Sequence, residues 1–205
     1  LEDAATVAKA ADFGGVFVTS ADGAVCAQGN KLSPTSECDC VKGTSPLRLP
    51  NASTLSPSGS ATMLHVCLPP AAPLNGLAGF FQLSPSSPSS CDVANPFTHA
   101  CSCPAGAVLH QLTTPLLSYC YQGERHPQSV FGGVFTTTSN PKKPCDQANP
   151  FTGSCSCGSG YTLLTVDVSG STNLTVCMNG CSEMTSPASC GVAAAFCAVC
   201  NTTCY

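Results

Sequence analysis

The chain has 205 residues, of which 9% are charged, and a formal net charge of −4. Ordinary soluble domains carry roughly 25% charged residues, and the few Lys and Arg here are too scattered to form a basic face for nucleic acid. The longest apolar run, 192–200, falls far short of the roughly 20 residues that a membrane span requires.

The 17 cysteines decide the class. Zinc modules use paired Cys-x2-4-Cys knuckles or Cys/His pairs. Here Cys-x-Cys recurs instead, and the four histidines (65, 99, 110 and 126) stand far apart. Three triplets match the N-glycosylation acceptor pattern, at Asn51, Asn173 and Asn201. Cysteine load and acceptor sites together point to disulfides in an oxidising compartment, and so to a secreted chain with no metal and no cofactor. The sequence begins at Leu1 without Met or a signal peptide, which reads as a processed form or an excised segment.

In chain order, residues 1–12 read as a short helix, with an acidic first turn, internal alanines and Lys9 late. Three tandem units follow. "FGGVFVTSADGAVC" opens the first, "LAGFFQLSPSSPSSC" the second and "FGGVFTTTSNPKKPC" the third. Each places a Phe (Phe17, Phe81 or Phe135) nine or ten residues before its first cysteine. The phrases "NPFTHACSC" and "NPFTGSCSC" then agree at seven of nine positions in units two and three.

The cysteine spacings complete the repeat. They run Cys26-x11-Cys38-x-Cys40-x26-Cys67, Cys91-x9-Cys101-x-Cys103-x16-Cys120, and Cys145-x9-Cys155-x-Cys157-x19-Cys177. The centre is fixed and the last gap is elastic, as in a stapled scaffold with one variable loop. Runs such as "GGVFTTT", "YTLLTVDV" and "TNLTVCM" have strand composition, and "SPSSPSS" and "SNPKKP" have loop chemistry. Each unit is thus expected to be three or four short strands, a size at which staples decide folding.

The predicted class is all-β: small disulfide-rich tandem modules of short strands and long loops, with a short N-terminal helix and a Cys-rich C-terminal cap. The divisions are 1–12, 13–70, 71–123, 124–180 and 181–205. The cap holds Cys181, Cys190, Cys197, Cys200 and Cys204. Its Cys197-x2-Cys200-x3-Cys204 pattern could serve a metal or a redox pair, but the compartment favours a disulfide-tied cap. An odd cysteine total suggests an intermolecular bond or a free thiol.

Neighbouring cysteines of an extended Cys-x-Cys point to opposite faces and should bond different partners, which leaves two of the three pairings per unit open. "CSCGSGYT" resembles the second half of an EGF-like module through Cys155, Cys157, Gly160 and Tyr161. The resemblance implies that the third cysteine pairs with the fourth, so first-to-second with third-to-fourth is the favoured map. It stops there. EGF-like modules carry six cysteines and a short final loop, and unit one reads "CDCVKGTS".

No catalytic constellation emerges, and the chain is read as a non-enzyme. Asp92 and Asp146 follow the first cysteines of units two and three, but unit one has Ala27 there. Asx-turns onto nearby amides explain them better than paired acids. His99, in the place of Gly153, reads as an exposed turn residue. Phe97 and Phe151 sit in the turn between cysteines, as glycan-stacking rings or as apolar plugs on the disulfide. The functional expectation is a secreted structural protein that assembles with itself or with matrix components. A carbohydrate-binding repeat protein is the alternative, and a protease inhibitor stands third.

Overall fold

The computed structural model describes residues 13–33, 35–49, 62–72, 76–113, 116–123, 130–168 and 171–179. The helix expected over 1–12, the cap over 181–205 with its five cysteines, and the acceptor sites Asn51 and Asn201 lie outside the described residues.

Among the described residues all regular structure is strand, four to a unit. Unit one forms β1 (Val16–Ser20), β2 (Cys26–Gln28), β3 (Ser45–Leu49) and β4 (Thr62–Leu68). Unit two forms β5 (Gly76–Ser84), β6 (Ser87–Val93), β7 (Ala107–Leu112) and β8 (Leu117–Gln122). Unit three forms β9 (Phe131–Thr138), β10 (Cys145–Gln147), β11 (Thr162–Asp167) and β12 (Thr172–Met178). Each unit is one antiparallel sheet, in the orders β2-β1-β4-β3, β6-β5-β8-β7 and β10-β9-β12-β11. The first and last strands of a unit pair at the centre. The second and third take opposite edges, so the segment joining them must cross the sheet end.

Period-two alternation explains which side of each sheet is dry. On the last strands, Leu64, Val66 and Leu68, then Leu117, Tyr119 and Tyr121, then Leu174, Val176 and Met178 face one way. Cys67, Cys120 and Cys177 fall at the intervening positions and face the other. The first strands repeat the rule: Val16, Phe80 and Val134 join the common cluster, and Phe17, Phe81 and Phe135 lie on the opposite face.

The apolar faces of all three sheets meet in a single core. Phe131 sits at its centre, edge-on to Phe13 at 5.3 Å, Tyr119 at 5.4 Å and Phe80 at 6.0 Å. One ring from unit three therefore touches units one and two. A buried side chain of this size is worth about 1.5–3 kcal/mol, so the shared cluster binds the sheets to each other while the disulfides act inside each sheet. Gln147 of β10 adds a polar tie. Its Oε1 accepts from the Thr113 amide at 2.7 Å, and its Nε2 donates to the Gln111 carbonyl at 3.2 Å.

Candidate functional site

The recurring phrase forms the crossing between the second and third strands, and its asparagine organises it. Asn149 is wholly buried. Its Nδ2 donates to the Gly132 carbonyl at 2.9 Å and to the Ser156 carbonyl at 3.3 Å, and its Oδ1 accepts from the Phe151 amide at 3.0 Å. Asn95 does the same with the Ala78 and Ser102 carbonyls at 3.2 and 3.1 Å and the Phe97 amide at 3.1 Å. Ser102 and Ser156 are the middle residues of the Cys-x-Cys pairs. The asparagine thus ties three pieces together: the start of the first strand, its own Asx-turn, and the peptide that splits the two disulfides.

Unit one contains the same joint in a form the repeated phrase does not reveal. Asn30 donates to the Gly14 carbonyl at 2.8 Å and the Asp39 carbonyl at 2.9 Å, and accepts from the Leu32 amide at 3.0 Å. The signal was present as Cys-x3-Asn, since Asn30, Asn95 and Asn149 each lie four residues after the first cysteine of their unit. A two-residue insertion after Asn30 and the replacement of Pro-Phe by Lys-Leu hid it.

Each asparagine faces a glycine with positive φ: Gly15 at 93°, Gly79 at 108° and Gly133 at 93°. A Cβ there would come within 2.0–2.2 Å of the amide oxygen of Asn30, Asn95 or Asn149. The second glycine of "FGGVF" is therefore required twice, by backbone conformation and by space. The turn itself closes with a left-handed residue: Ser36, His99 and Gly153, at φ of 53°, 55° and 69°. His99 is exposed there. Its amide donates to the Asn95 carbonyl at 2.8 Å, as the Gly153 amide does to Asn149.

Six disulfides flank these joints: Cys26–Cys38, Cys40–Cys67, Cys91–Cys101, Cys103–Cys120, Cys145–Cys155 and Cys157–Cys177. This is the first-to-second and third-to-fourth map. The fourth cysteines, Cys67, Cys120 and Cys177, are fully buried, and Asn149 Nδ2 lies 3.6 Å from Cys177 Sγ. On the other side of the sheet Phe81 packs with Ala78 and Cys120, covering that bridge.

Phe97 and Phe151 are half-buried and pack against the common core. Phe151 stands edge-on to Tyr121 at 4.7 Å and reaches Phe131 at 6.2 Å and His110 at 6.2 Å. Its ring is a plug between turn and core. Asp146 does not make the turn expected of it: it accepts from the Lys143 ammonium at 2.9 Å, and the Asx-turn is made by Asn149, three residues further on. The physical reason is burial. The site needs two donors and one acceptor, which an amide supplies and a carboxylate does not.

No protein-family model matches the chain, and no curated protein matches it.

Three further polar positions complete the picture. Asn173 is half-buried on the central strand β12, and the Thr175 hydroxyl of its acceptor triplet is 3.0 Å from that of Thr165. His110 of β7 stacks on Tyr119 at 5.0 Å, and burial pushes its pKa below the ordinary value. Burial likewise raises the Tyr119 phenol, with the Val134 backbone opposing it. Among the described residues no three His, Cys, Asp or Glu side chains converge as a metal-binding group, and no helix is long and apolar enough to cross a membrane.

Proposed function

We propose that the chain is a secreted, glycosylated structural protein, a building block of an extracellular matrix, wall, coat or surface filament. The observation that carries this reading is the construction itself: three stapled sheets locked on one core, with side-chain hydrogen bonds spent on holding backbone. Disulfides in this number are typical of extracellular proteins. A rigid body with few charges suits dense packing between like copies.

The cysteine count supports assembly through the C-terminal region. Twelve of the 17 cysteines close inside the three units, and the other five, an odd number, are Cys181, Cys190, Cys197, Cys200 and Cys204. A disulfide to a second copy would be made from that set. The test is native size by light scattering, with non-reducing gels of secreted material. Large or covalently linked assemblies are the expected result; a strictly monomeric species under both conditions overturns the reading.

A further inference from the structure

The outer face of the first sheet differs from its two counterparts at one register position. The residue opposite the recurring Phe is His65 in unit one, Ser118 in unit two and Thr175 in unit three. His65 is 4% exposed, and its ring stacks on Phe17 with centroids 4.5 Å apart and planes 8° apart. Its Nε2 lies 2.9 Å from Thr19 Oγ1, and that hydroxyl donates to the Ser20 carbonyl at 2.9 Å. With the hydroxyl proton used there, the imidazole carries its own proton on Nε2 and donates it to Thr19. Nδ1 is left as a bare acceptor, buried and without a hydrogen-bond partner.

A second proton would have to go on Nδ1. Among the described residues it would meet no acceptor for a buried N–H and no counter-ion for the charge. The strands around the ring offer no relief. β1 contributes Val16, Phe17, Val18, Thr19 and Ser20, none of them ionisable, and β4 adds no other titratable group. From β3, Arg48 stands opposite His65 in register and adds a like charge. Asp22, beyond the end of β1, sits at the exposed hairpin, where its Oδ1 accepts from the Ser20 hydroxyl and the Ala24 amide.

We propose that His65 makes the first sheet an acid-opened element: on acidification the ring leaves its slot between Phe17 and Thr19 and releases the pairing of β4 with β1 and β3. The second and third sheets, with Ser118 and Thr175 at that position, have nothing there to titrate. Burial first, and then Arg48, hold the folded-state pKa of His65 below its ordinary value of 6.5. The unfolded or opened state therefore binds more protons just below that value, and stability present above it is lost as pH falls. One proton corresponds to at most about a tenfold rise in the opening constant per pH unit. His110 shifts in the same direction but belongs to the second sheet, so the experiment must resolve the sheets.

Hydrogen exchange followed by mass spectrometry, on the disulfide-intact chain between pH 8 and 5 and corrected for intrinsic rates, does so. Protection in β1, β3 and β4 is expected to fall several-fold, and by no more than about fifteenfold, from pH 6.5 to 5, with β9 and β12 unchanged. His65→Gln, which keeps a neutral donor toward Thr19, is expected to abolish that fall, and His110→Gln to leave it in place. Because the readout is a difference between two pH values within one protein, a variant of lower overall stability still reports. If His65→Gln fails to fold, the wild-type sheet-by-sheet profile decides alone. Uniform loss of protection across all three sheets, or a fall that survives His65→Gln or vanishes in His110→Gln, overturns the proposal.

Discussion

Replacing Asn149 by Ala removes one wholly buried side chain and three hydrogen bonds to main chain. The three losses are unequal. The Ser156 carbonyl keeps a donor, because the Thr152 hydroxyl reaches it at 3.0 Å. The Gly132 carbonyl and the Phe151 amide lose the side-chain partner that holds them in place. At about 1–3 kcal/mol for each of these two groups left unsatisfied, the expected destabilisation is about 2–6 kcal/mol. Asn149→Asp should be worse than Ala, because it retains the acceptor for Phe151 but sets a carboxylate oxygen against two carbonyls. Asn140→Ala serves as the reference: that side chain is exposed and accepts only from the Lys142 amide at 3.0 Å, so a loss of about 0.5 kcal/mol or less is expected. Urea unfolding at pH 7 with disulfides intact measures all three. An Asn149→Ala protein within about 1 kcal/mol of wild type, or an Asp variant more stable than the Ala one, would refute the claim that the amide is the keystone of the joint.

Three other outcomes follow from the same geometry. Gly133→Ala should destabilise by about 2–4 kcal/mol, because the new methyl meets Asn149 Oδ1 at 2.2 Å and the Phe151 ring at 2.7 Å. Gly153→Ala, at a positive φ with open space around it, should lose only the backbone term of about 1–2 kcal/mol. Thermal melts of the pair distinguish crowding from conformation. His99→Val should cost about 1–2 kcal/mol although the side chain is exposed, since a β-branched residue tolerates the left-handed φ of 55° poorly; a neutral result would show that the turn relaxes. Removing Cys157–Cys177 as a double Ser variant should cost about 0.6 kcal/mol more than removing Cys145–Cys155. The loops close over separations of 20 and 10, and the entropic term scales with the logarithm of that ratio. Equal losses in denaturant melts would refute the loop-length account, and a gap well above about 0.6 kcal/mol would show that burial of Cys177 adds to loop closure.

Much of the fold was legible because it is written locally. The glycine pair with its β-branched and aromatic followers marks the first strand of units one and three, and "TNLTVCM" the last strand of unit three. The split fate of Cys-x-Cys was expected from strand alternation and holds, although the three pairs lie in bends outside the strands. The copy of the joint in unit one was not legible, because "NPFT" is absent there and the determining features are the distance from cysteine to asparagine and a glycine upstream. Those two positions meet only in space, at Gly15 and Asn30. The Asx-turn expected of Asp146 belongs to Asn149. Burial was the missing quantity: an exposed Asx-turn accepts either residue, whereas a site between two carbonyls requires donors.

The common core was hidden for a different reason. Alternation shows that Leu117, Tyr119 and Tyr121 share a face, but nothing in the order of residues shows which face they meet. Four-cysteine units of this length suggest separate stapled beads on a string. Phe131, in contact with Phe13, Phe80 and Tyr119 at once, makes them walls of one body instead. The division of labour is then physical. Disulfides and asparagines fix each crossing where there is too little apolar surface to hold it, and the aromatic cluster fixes the sheets to one another where there is enough. A string of independent beads would bend at its linkers under load. Three sheets sharing buried rings cannot move apart without exposing those rings to water, at about 1.5–3 kcal/mol for each large side chain uncovered. That rigidity, achieved with few charges, is what the proposed role as a repeated brick of extracellular material requires.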